Sequence, residues 1–232
     1  MMDTAYQSRR TELQTYFGDT AAATWEKLTS TAPVSGIRAA VRAGRDAMHE
    51  TVLSWLPHDL TGRRVLDAGC GTGTFSVAAA GRGAEVLGID IAGPLVEIAA
   101  SRLTDPVHIS RITWRVGDMT HTDLGVFDHA VAVDSIIHYE ESDMAAMVSR
   151  ILPRIRRSLI LTHAPRTALL TAMHAAGKLF PRADRAPAII PVSGNSLARR
   201  IEAASDGAFR VARRKQISSG FYFSEAMEIV RA

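Results

Sequence analysis

Apolar residues along this chain change their spacing repeatedly, and from residue 63 onward short apolar runs alternate with stretches of helical periodicity. The apolar runs that predict strands cover residues 64–67, 85–90, 112–116, 127–133 and 158–162. The stretches that predict helices between them cover residues 74–82, 94–103 and 143–152. A regular alternation of strand and helix predicts right-handed βαβ crossovers, and hence a mostly parallel sheet in an α/β fold.

The segments on either side of this alternation have a different pattern. Residues 4–28 and 37–56 carry spaced apolar positions on a polar background, so we expect an N-terminal helical arm or lid over residues 1–60. The core domain is then residues 61–232. Within it, residues 164–193 interrupt the rhythm with prolines and arginines, which predicts a cap-like insertion over the carboxyl edge of the sheet.

The end of the chain predicts one more helix and a closing hairpin. The helix is expected over residues 195–204, and two strands over 209–217 and 220–230, joined at a Ser-Ser-Gly turn. We expect these strands to form an antiparallel pair at one edge of the sheet. Inside the insertion, an apolar stretch at 169–180 has helical spacing.

Composition excludes several classes of protein. The 232 residues are 47% hydrophobic and 22% charged, which suits one α/β domain with modest additions. No apolar run approaches the ~20 residues that span a bilayer, and the polar N-terminus disfavours secretion, so we expect a cytoplasmic location. Cys70 is the only cysteine, which excludes an internal disulfide and a cysteine-based metal site. The histidines lack ligand spacing, and we predict no metal site.

The net charge is +3, and arginine supplies nearly all of the positive charge. One interpretation is a compositional bias with solvated helix faces. The other is attraction to an anion, namely a carboxylate substrate, an acidic membrane surface or an acidic partner. The arginines are scattered and are not interleaved with aromatic residues, so we expect no nucleic-acid partner.

The most informative chemistry is the run VLDAGCGTG at residues 65–73, where a strand leads into a tight turn and a helix. Its glycines, Gly69, Gly71 and Gly73, follow G-x-G-x-G spacing, whereas the dinucleotide fingerprint is G-x-G-x-x-G. Cys70 suits a place that needs a small side chain. The pattern resembles the first motif of class I S-adenosylmethionine-dependent methyltransferases, which implies a Rossmann-like sheet that binds this cofactor.

Acidic residues follow the predicted strands, and in an open α/β sheet ligands bind at the carboxyl ends of the strands. Asp67 ends the first strand and is expected to order the glycine loop. Asp90 ends the second, nineteen positions after Gly71, where a carboxylate accepts hydrogen bonds from both ribose hydroxyls. Asp118 follows the third and is expected to accept from the adenine amino group. The remaining residues predicted to contact the cofactor are Ile91, Met119, Asp134, Ser135 and Trp25.

A histidine and a tyrosine follow the fourth predicted strand, where the transferred methyl group should emerge. His138 has two interpretations: it positions the acceptor or handles a proton, or it simply caps a helix. Tyr139 would help to wall the site. His163, after the fifth strand, is a weaker candidate of the same kind.

Several longer stretches resemble one narrower family, the magnesium-protoporphyrin IX O-methyltransferases of bacteriochlorophyll synthesis. The similarity includes VAVDSIIHY at 131–139 and the pieces APRT, GKLFPR and DRAPA within 164–192. It also includes Tyr16-Phe17 with Trp25, VRAGR at 41–45 and GFY at 220–222.

This resemblance implies transfer of a methyl group from S-adenosylmethionine to a propionate carboxylate of magnesium-protoporphyrin IX, which gives the monomethyl ester and S-adenosylhomocysteine. His138 would orient the carboxylate, and Arg45 and Arg166 would bind the substrate, with Arg166 on the second propionate. Tyr16 would act in catalysis or as a lid. The chlorophyll-making relatives carry a tyrosine four residues after the tryptophan of the arm, where this chain has Thr29. A tyrosine role would therefore pass to Tyr16 or Tyr139, or be absent.

The resemblance also implies transient contact with the magnesium chelatase large subunit and peripheral attachment to the photosynthetic membrane. Two other functions fit the same residues: a methyltransferase for another small acceptor, such as a quinone or an aliphatic acid, and a non-catalytic protein of this fold that carries a tetrapyrrole.

Overall fold

The structure is a computed structural model that describes residues 4–20, 29, 36–166 and 187–232. Trp25, the predicted helix at 169–180 and most of the insertion lie outside these residues. Only the start of the helical stretch expected at 4–28 is described, as helix α1 (Thr4–Thr15) followed by a π-helical turn (Tyr16–Thr20).

The strands and helices of the core alternate as the sequence predicts. The strands are β1 (Arg64–Ala68), β2 (Glu85–Asp90), β3 (Ile112–Val116), β4 (Phe127–Ala132), β5 (Ile155–His163), β6 (Phe209–Ser219) and β7 (Tyr222–Arg231). The helices after α1 are α2 (Gly36–Trp55), α3 (Thr74–Gly81), α4 (Gly93–Ser101), α5 (Pro106–Arg111), α6 (Glu141–Ile151) and α7 (Gly194–Ala204). Most ends lie within three residues of the predicted ones. Helix α5 was missed, although Asp105 caps it by accepting a hydrogen bond from the Val107 amide, and Pro106 follows at its first turn.

The described strands form a seven-stranded sheet in the order β3-β2-β1-β4-β5-β7-β6. The first five strands of this order are parallel, whereas β7 pairs antiparallel with both β5 and β6. The prediction of a mostly parallel sheet with an antiparallel edge pair is therefore confirmed. The order reverses between β1 and β4, which is the switch point where α/β sheets bind ligands.

Apolar residues on alternate positions of the central strands face the two sides of the sheet. Val65 and Val131 pack with Met48 and Val52 of α2 and with α3, whereas Leu66 packs on the side of α1, α6 and α7. Both faces of the central strands are therefore covered by helices, as the continuous apolar run of β4 indicates. Helices in the described part of the chain are too short or too polar to cross a membrane.

Candidate active site

A cavity lies at the carboxyl edge of the sheet, next to the switch point, and encloses about 960 Å³ between its atoms, part of it open to solvent. The cavity is lined by the glycine loop, by the ends of β2, β3 and β4, and by side chains from α1 and α2. The described predicted site residues that line it are Arg45, Asp67, Gly69, Cys70, Gly71, Asp90, Ile91, Asp118, Met119, Asp134, Ser135, His138 and Tyr139.

The glycine loop forms one wall because its backbone takes conformations that side chains disfavour. Gly69 has φ +83°, and a Cβ there would lie 2.2 Å from the Cβ of Ser135. Gly71 has φ +51° with no heavy atom within 4 Å of its Cβ position, so its backbone borders open space. The Gly69 and Cys70 amides both donate to the Ile89 carbonyl, at 2.8 and 3.0 Å, which ties the loop to β2. Burial raises the pKa of the Cys70 thiol, which disfavours a nucleophilic role.

Asp90 is held at the end of β2 by two backbone amides. Gly71 donates to Oδ2 and Ala92 to Oδ1, each at 2.9 Å. Burial raises the pKa of its carboxyl group, and these hydrogen bonds act in the opposite direction. The Asp90 carboxylate and the open backbone of Gly71 thus lie side by side, so a ligand that reaches the carboxylate also borders the loop backbone.

Asp67 lies beneath the loop, 2% exposed, and accepts a 2.6 Å hydrogen bond from the Ser76 hydroxyl of α3. Burial raises the pKa of Asp67 to about 7, against the effect of Ser76. This contact joins β1 to the start of α3, and so fixes both ends of the glycine loop. This hydrogen bond is consistent with the prediction that Asp67 orders the glycine loop.

Asp118 is held by helix α1, a contact that sequence reasoning missed. Its Oδ2 accepts from the Tyr6 hydroxyl and from Arg10 Nη1, each at 3.0 Å, and its Oδ1 accepts from the amide and the hydroxyl of Thr120. Burial alone would raise the pKa of Asp118, but these hydrogen bonds lower it. A carboxylate offers about four lone-pair positions, and here four donors fill them. Accepting from an adenine amino group would therefore require Tyr6 or Arg10 to give way.

Asp134 follows β4 in a left-handed conformation, with φ 51°. Its Oδ2 lies 3.2 Å from Nη1 of Arg45, and both oxygens accept from the Tyr222 hydroxyl at 3.1 Å. The Thr162 hydroxyl also donates to Oδ1, at 3.2 Å. A non-glycine residue with this backbone conformation is held there by its surroundings and is typical of functional sites.

His138 is 7% exposed, and its Nδ1 lies 3.2 Å from the Ala188 carbonyl, which fixes the ring against the segment that returns from the insertion. Burial lowers the pKa of His138, against the effect of that carbonyl, so the ring is neutral at neutral pH. The ring of Phe17 lies 5.7 Å from the imidazole. Tyr139, next along the chain, stacks on Tyr6 at 5.3 Å. Aromatic side chains thus close this end of the cavity.

Comparison with known proteins agrees with this geometry. The family model for the magnesium-protoporphyrin IX methyltransferase C-terminus matches residues 132–231, and a general methyltransferase-domain model matches residues 65–157. A magnesium-protoporphyrin O-methyltransferase of Rhodobacter capsulatus is 41% identical over 228 residues, which cover 98% of this chain and 99% of the relative. The chain belongs to the magnesium-protoporphyrin O-methyltransferase family.

Two crystal structures of the family member from Synechocystis PCC 6803 resemble the chain over most of its length. The structure with bound S-adenosylhomocysteine has a TM-score of 0.84 at 29% identity, and covers 96% of this chain and 100% of its own. The structure with bound S-adenosylmethionine has a TM-score of 0.81 at 25% identity, and covers 100% and 99%. The predicted class I methyltransferase fold is thereby confirmed.

Some residues that the family resemblance suggested lie outside the cavity. The Tyr16 ring lies edge-on to Phe17, at 5.1 Å, and Phe17 rather than Tyr16 lines the cavity. Gly73 precedes α3 at φ +80°, where a Cβ would meet the Trp114 ring at 2.4 Å, so it serves helix packing. Arg166 lines a separate groove with Arg214 and Lys215. Among described residues, no group of three or more acidic, histidine or cysteine side chains is arranged to hold a metal ion.

Other cavity residues of this family member gave little or no sequence signal. The residues that the structure adds to the predicted lining are Tyr6, Leu13, Phe17, Thr29, His49, Thr72, Thr74, Phe75, Leu95, Val133 and Met147. Thr29, where chlorophyll-making relatives carry a tyrosine, accepts a 3.0 Å hydrogen bond from Arg102. Tyr222 reaches the site from β7 through Asp134. The GFY similarity at 220–222 was the one available signal for Tyr222.

Proposed function

We propose that this protein transfers a methyl group from S-adenosylmethionine to a propionate carboxylate of magnesium-protoporphyrin IX, which gives the monomethyl ester in bacteriochlorophyll synthesis. The near full-length identity to the Rhodobacter capsulatus enzyme, together with a glycine-loop cavity that ends at His138, supports this function. The family-specific match includes residues 158–231, beyond the general methyltransferase domain, which favours a porphyrin over a quinone or aliphatic acceptor.

The residues around the loop fit the cofactor. Asp90 would accept hydrogen bonds from the ribose hydroxyls, and the open backbone at Gly71 would face the methionine part. Ile91 and Met119 offer apolar side chains on either side of a purine, and Ser135, whose hydroxyl donates to the Ala68 carbonyl at 2.8 Å, keeps the opposite wall close to Gly69. When bound, S-adenosylmethionine supplies an electrophilic methyl group on a sulfonium and leaves as the neutral thioether.

The acceptor chemistry requires positioning more than proton transfer. A propionate has a pKa of about 4.3, like a glutamate side chain, so it is already ionised at neutral pH and needs no strong base. Neutral His138 carries one N–H, so it would orient a carboxylate oxygen only with that proton on Nε2, in the tautomer that no longer donates to the Ala188 carbonyl. Phe17 and Tyr139 would exclude water, and a desolvated, aligned carboxylate reacts faster.

Incubation of the purified protein with S-adenosylmethionine and magnesium-protoporphyrin IX tests this function, with the ester followed by mass spectrometry. We expect the monomethyl ester from the wild type, and little turnover from Asp90→Ala or His138→Ala. A wild type that binds both molecules and yields no ester would be a carrier, and the proposal would be wrong. Ester formation on a quinone or aliphatic acid alone would show a different acceptor.

We also propose a cytoplasmic location with weak peripheral attachment to the photosynthetic membrane, and transient contact with the magnesium chelatase large subunit. Four exposed basic residues along the edge strand β6 support these proposals: Arg210, Arg213, Arg214 and Lys215. Co-sedimentation with anionic vesicles and pull-down with the chelatase subunit test the two contacts separately, and absence of salt-sensitive binding in both would contradict them.

A further inference from the structure

One face of helix α2 carries basic side chains that run from the protein surface into the cavity. Arg38, Arg42, Arg45 and His49 are spaced by four, three and four residues, which places them on one side of a helix. Arg38 is exposed, Arg42 is half-buried, and Arg45 and His49 line the cavity. Burial and the neighbouring Arg45 lower the pKa of His49 to about 4, so the three arginines carry the positive charge of this stripe inward.

Arg45 is the innermost arginine of this stripe, and its position is fixed. Its side chain is 16% exposed and that of Asp134 is 5% exposed, so their ion pair at 3.2 Å is largely removed from water. The hydroxyls of Tyr222 and Thr162 bind the same carboxylate. These contacts orient the Asp134 carboxylate, which holds the guanidinium at the cavity wall.

Tyr222 in turn is positioned by a close approach of α2 to β7. A Cβ on Gly44 would lie 2.5 Å from Cδ1 of Tyr222, so the helix backbone rests directly on the ring. The residue after Gly44 is Arg45. The same contact therefore sets two of the partners of Asp134, Arg45 and Tyr222, although these two are 177 residues apart in the sequence.

The acceptor of the proposed function carries two propionates, one that reacts and one that does not. A fixed arginine is a suitable partner only for the propionate that does not react. An ion pair with arginine would withdraw charge from the reacting oxygen and make it a poorer nucleophile. The carboxylate that does not react need not be nucleophilic, so it can pair with an arginine. A charge-assisted hydrogen bond between the two anchors the macrocycle. Arg166, which resemblance suggested for this role, lies in a different groove.

We propose that Arg45, held by the positioning residues Asp134 and Tyr222, is a specificity-determining residue that binds the propionate that is not methylated. This inference rests on the proposed function. It explains why the product is a monoester: to present its remaining carboxylate for transfer, the product must place a neutral ester against Arg45. That arrangement forfeits the anchoring ion pair, so a second methylation is slow.

Competition between the diacid and its chemically prepared monomethyl ester tests the proposal. The wild type is expected to prefer the diacid, with diester below detection. Arg45→Gln is expected to raise KM for the diacid roughly tenfold and to lower the diacid-to-monoester ratio of kcat/KM by a similar factor, as loss of one charge-assisted contact predicts. Diester should then accumulate. Tyr222→Phe removes one donor to Asp134 and keeps the ion pair with Arg45, so it should shift the same ratio less.

The controls separate a lost anchor from a damaged fold. Arg45→Lys keeps the charge and should retain part of the preference. Arg200→Gln removes another arginine whose ion pair, with Glu141 at 2.6 Å, does not line the cavity, and it should leave the ratio unchanged. The Kd for S-adenosylmethionine should remain that of the wild type in Arg45→Gln, Arg45→Lys and Arg200→Gln. An unchanged preference in Arg45→Gln overturns the inference while the proposed function stands, whereas a wild type without ester product overturns both.

Discussion

The Tyr6 hydroxyl donates a 3.0 Å hydrogen bond to Oδ2 of Asp118, 112 residues further along the chain. The same tyrosine ring stacks on Tyr139, next to His138. One side chain of the N-terminal helix therefore contacts both the strand end expected to face adenine and the loop expected to face the acceptor. This links the arm to both halves of the proposed site.

Tyr6→Phe is expected to lower the free energy of unfolding by about 1.5 kcal/mol, because a buried hydrogen bond to a carboxylate is lost while the stack on Tyr139 is kept. The substitution also frees one lone pair of the Asp118 carboxylate. If the adenine amino group competes with Tyr6 for Asp118, binding of S-adenosylmethionine should tighten several-fold. Urea unfolding and calorimetry measure the two effects. A double-mutant cycle with Asp118→Asn gives the coupling energy, and additive effects would contradict the contact.

Gly69→Ala is expected to abolish binding of S-adenosylmethionine and to destabilise the fold by several kcal/mol. A Cβ at this position would overlap Ser135, and the residue has φ +83°. Gly36→Ala is the matched control, because no heavy atom lies within 4 Å of its Cβ position and α2 begins there. Thermal melts and cofactor titration should find the control unchanged or slightly stabilised. Equal effects of the two substitutions would exclude the steric argument.

His138→Gln is expected to lower kcat roughly tenfold to a hundredfold with little change in cofactor affinity, because it loses orientation of the carboxylate rather than a base. Since burial lowers the pKa of His138, the wild-type rate should show no titration of this residue between pH 7 and 8. His121→Gln, with a side chain 60% exposed, is the control and should retain full activity. A rate that follows a histidine titration near pH 7 in the wild type, and loses it in His138→Gln, would instead indicate proton transfer.

The buried Asp67 predicts a pH dependence of stability with a defined sign. Its pKa is raised to about 7 in the folded protein, against about 3.9 when unfolded, so the folded state binds the extra proton between these values. The contribution of Asp67 is therefore fully present below about pH 4 and is lost as pH rises through 7. Relative to Asp67→Asn, the wild type should lose a few kcal/mol between pH 5 and 8, at about 1.4 kcal/mol per pKa unit. Chemical denaturation of both proteins across this range measures the difference, and a constant gap would show that Asp67 titrates normally.

The sequence by itself determined the class of fold and one wall of the site. Strand–helix periodicity and the glycine spacing at 69–73 are local patterns, and local patterns fix local backbone conformation. Parallel connection then brings Asp67, Asp90, Asp118 and Asp134 to one edge of the sheet, so their proximity follows from residue order alone. Helix α5 was not predicted because its six residues are too few to show a helical spacing of apolar positions.

Only the tertiary structure decided what each of these carboxylates binds. Tyr6 reaches Asp118 and Tyr222 reaches Asp134 from elements about 90 to 110 residues away, and neither contact leaves a periodic signal. Gly44 looks like an ordinary helix glycine until the ring of Tyr222 is packed against it. Such pairings depend on how helices settle on the sheet, which is set by side-chain packing across the whole core. The sequence therefore predicts where the site lies, and the packing of α1, α2 and β7 decides which of its charges remain available to a ligand.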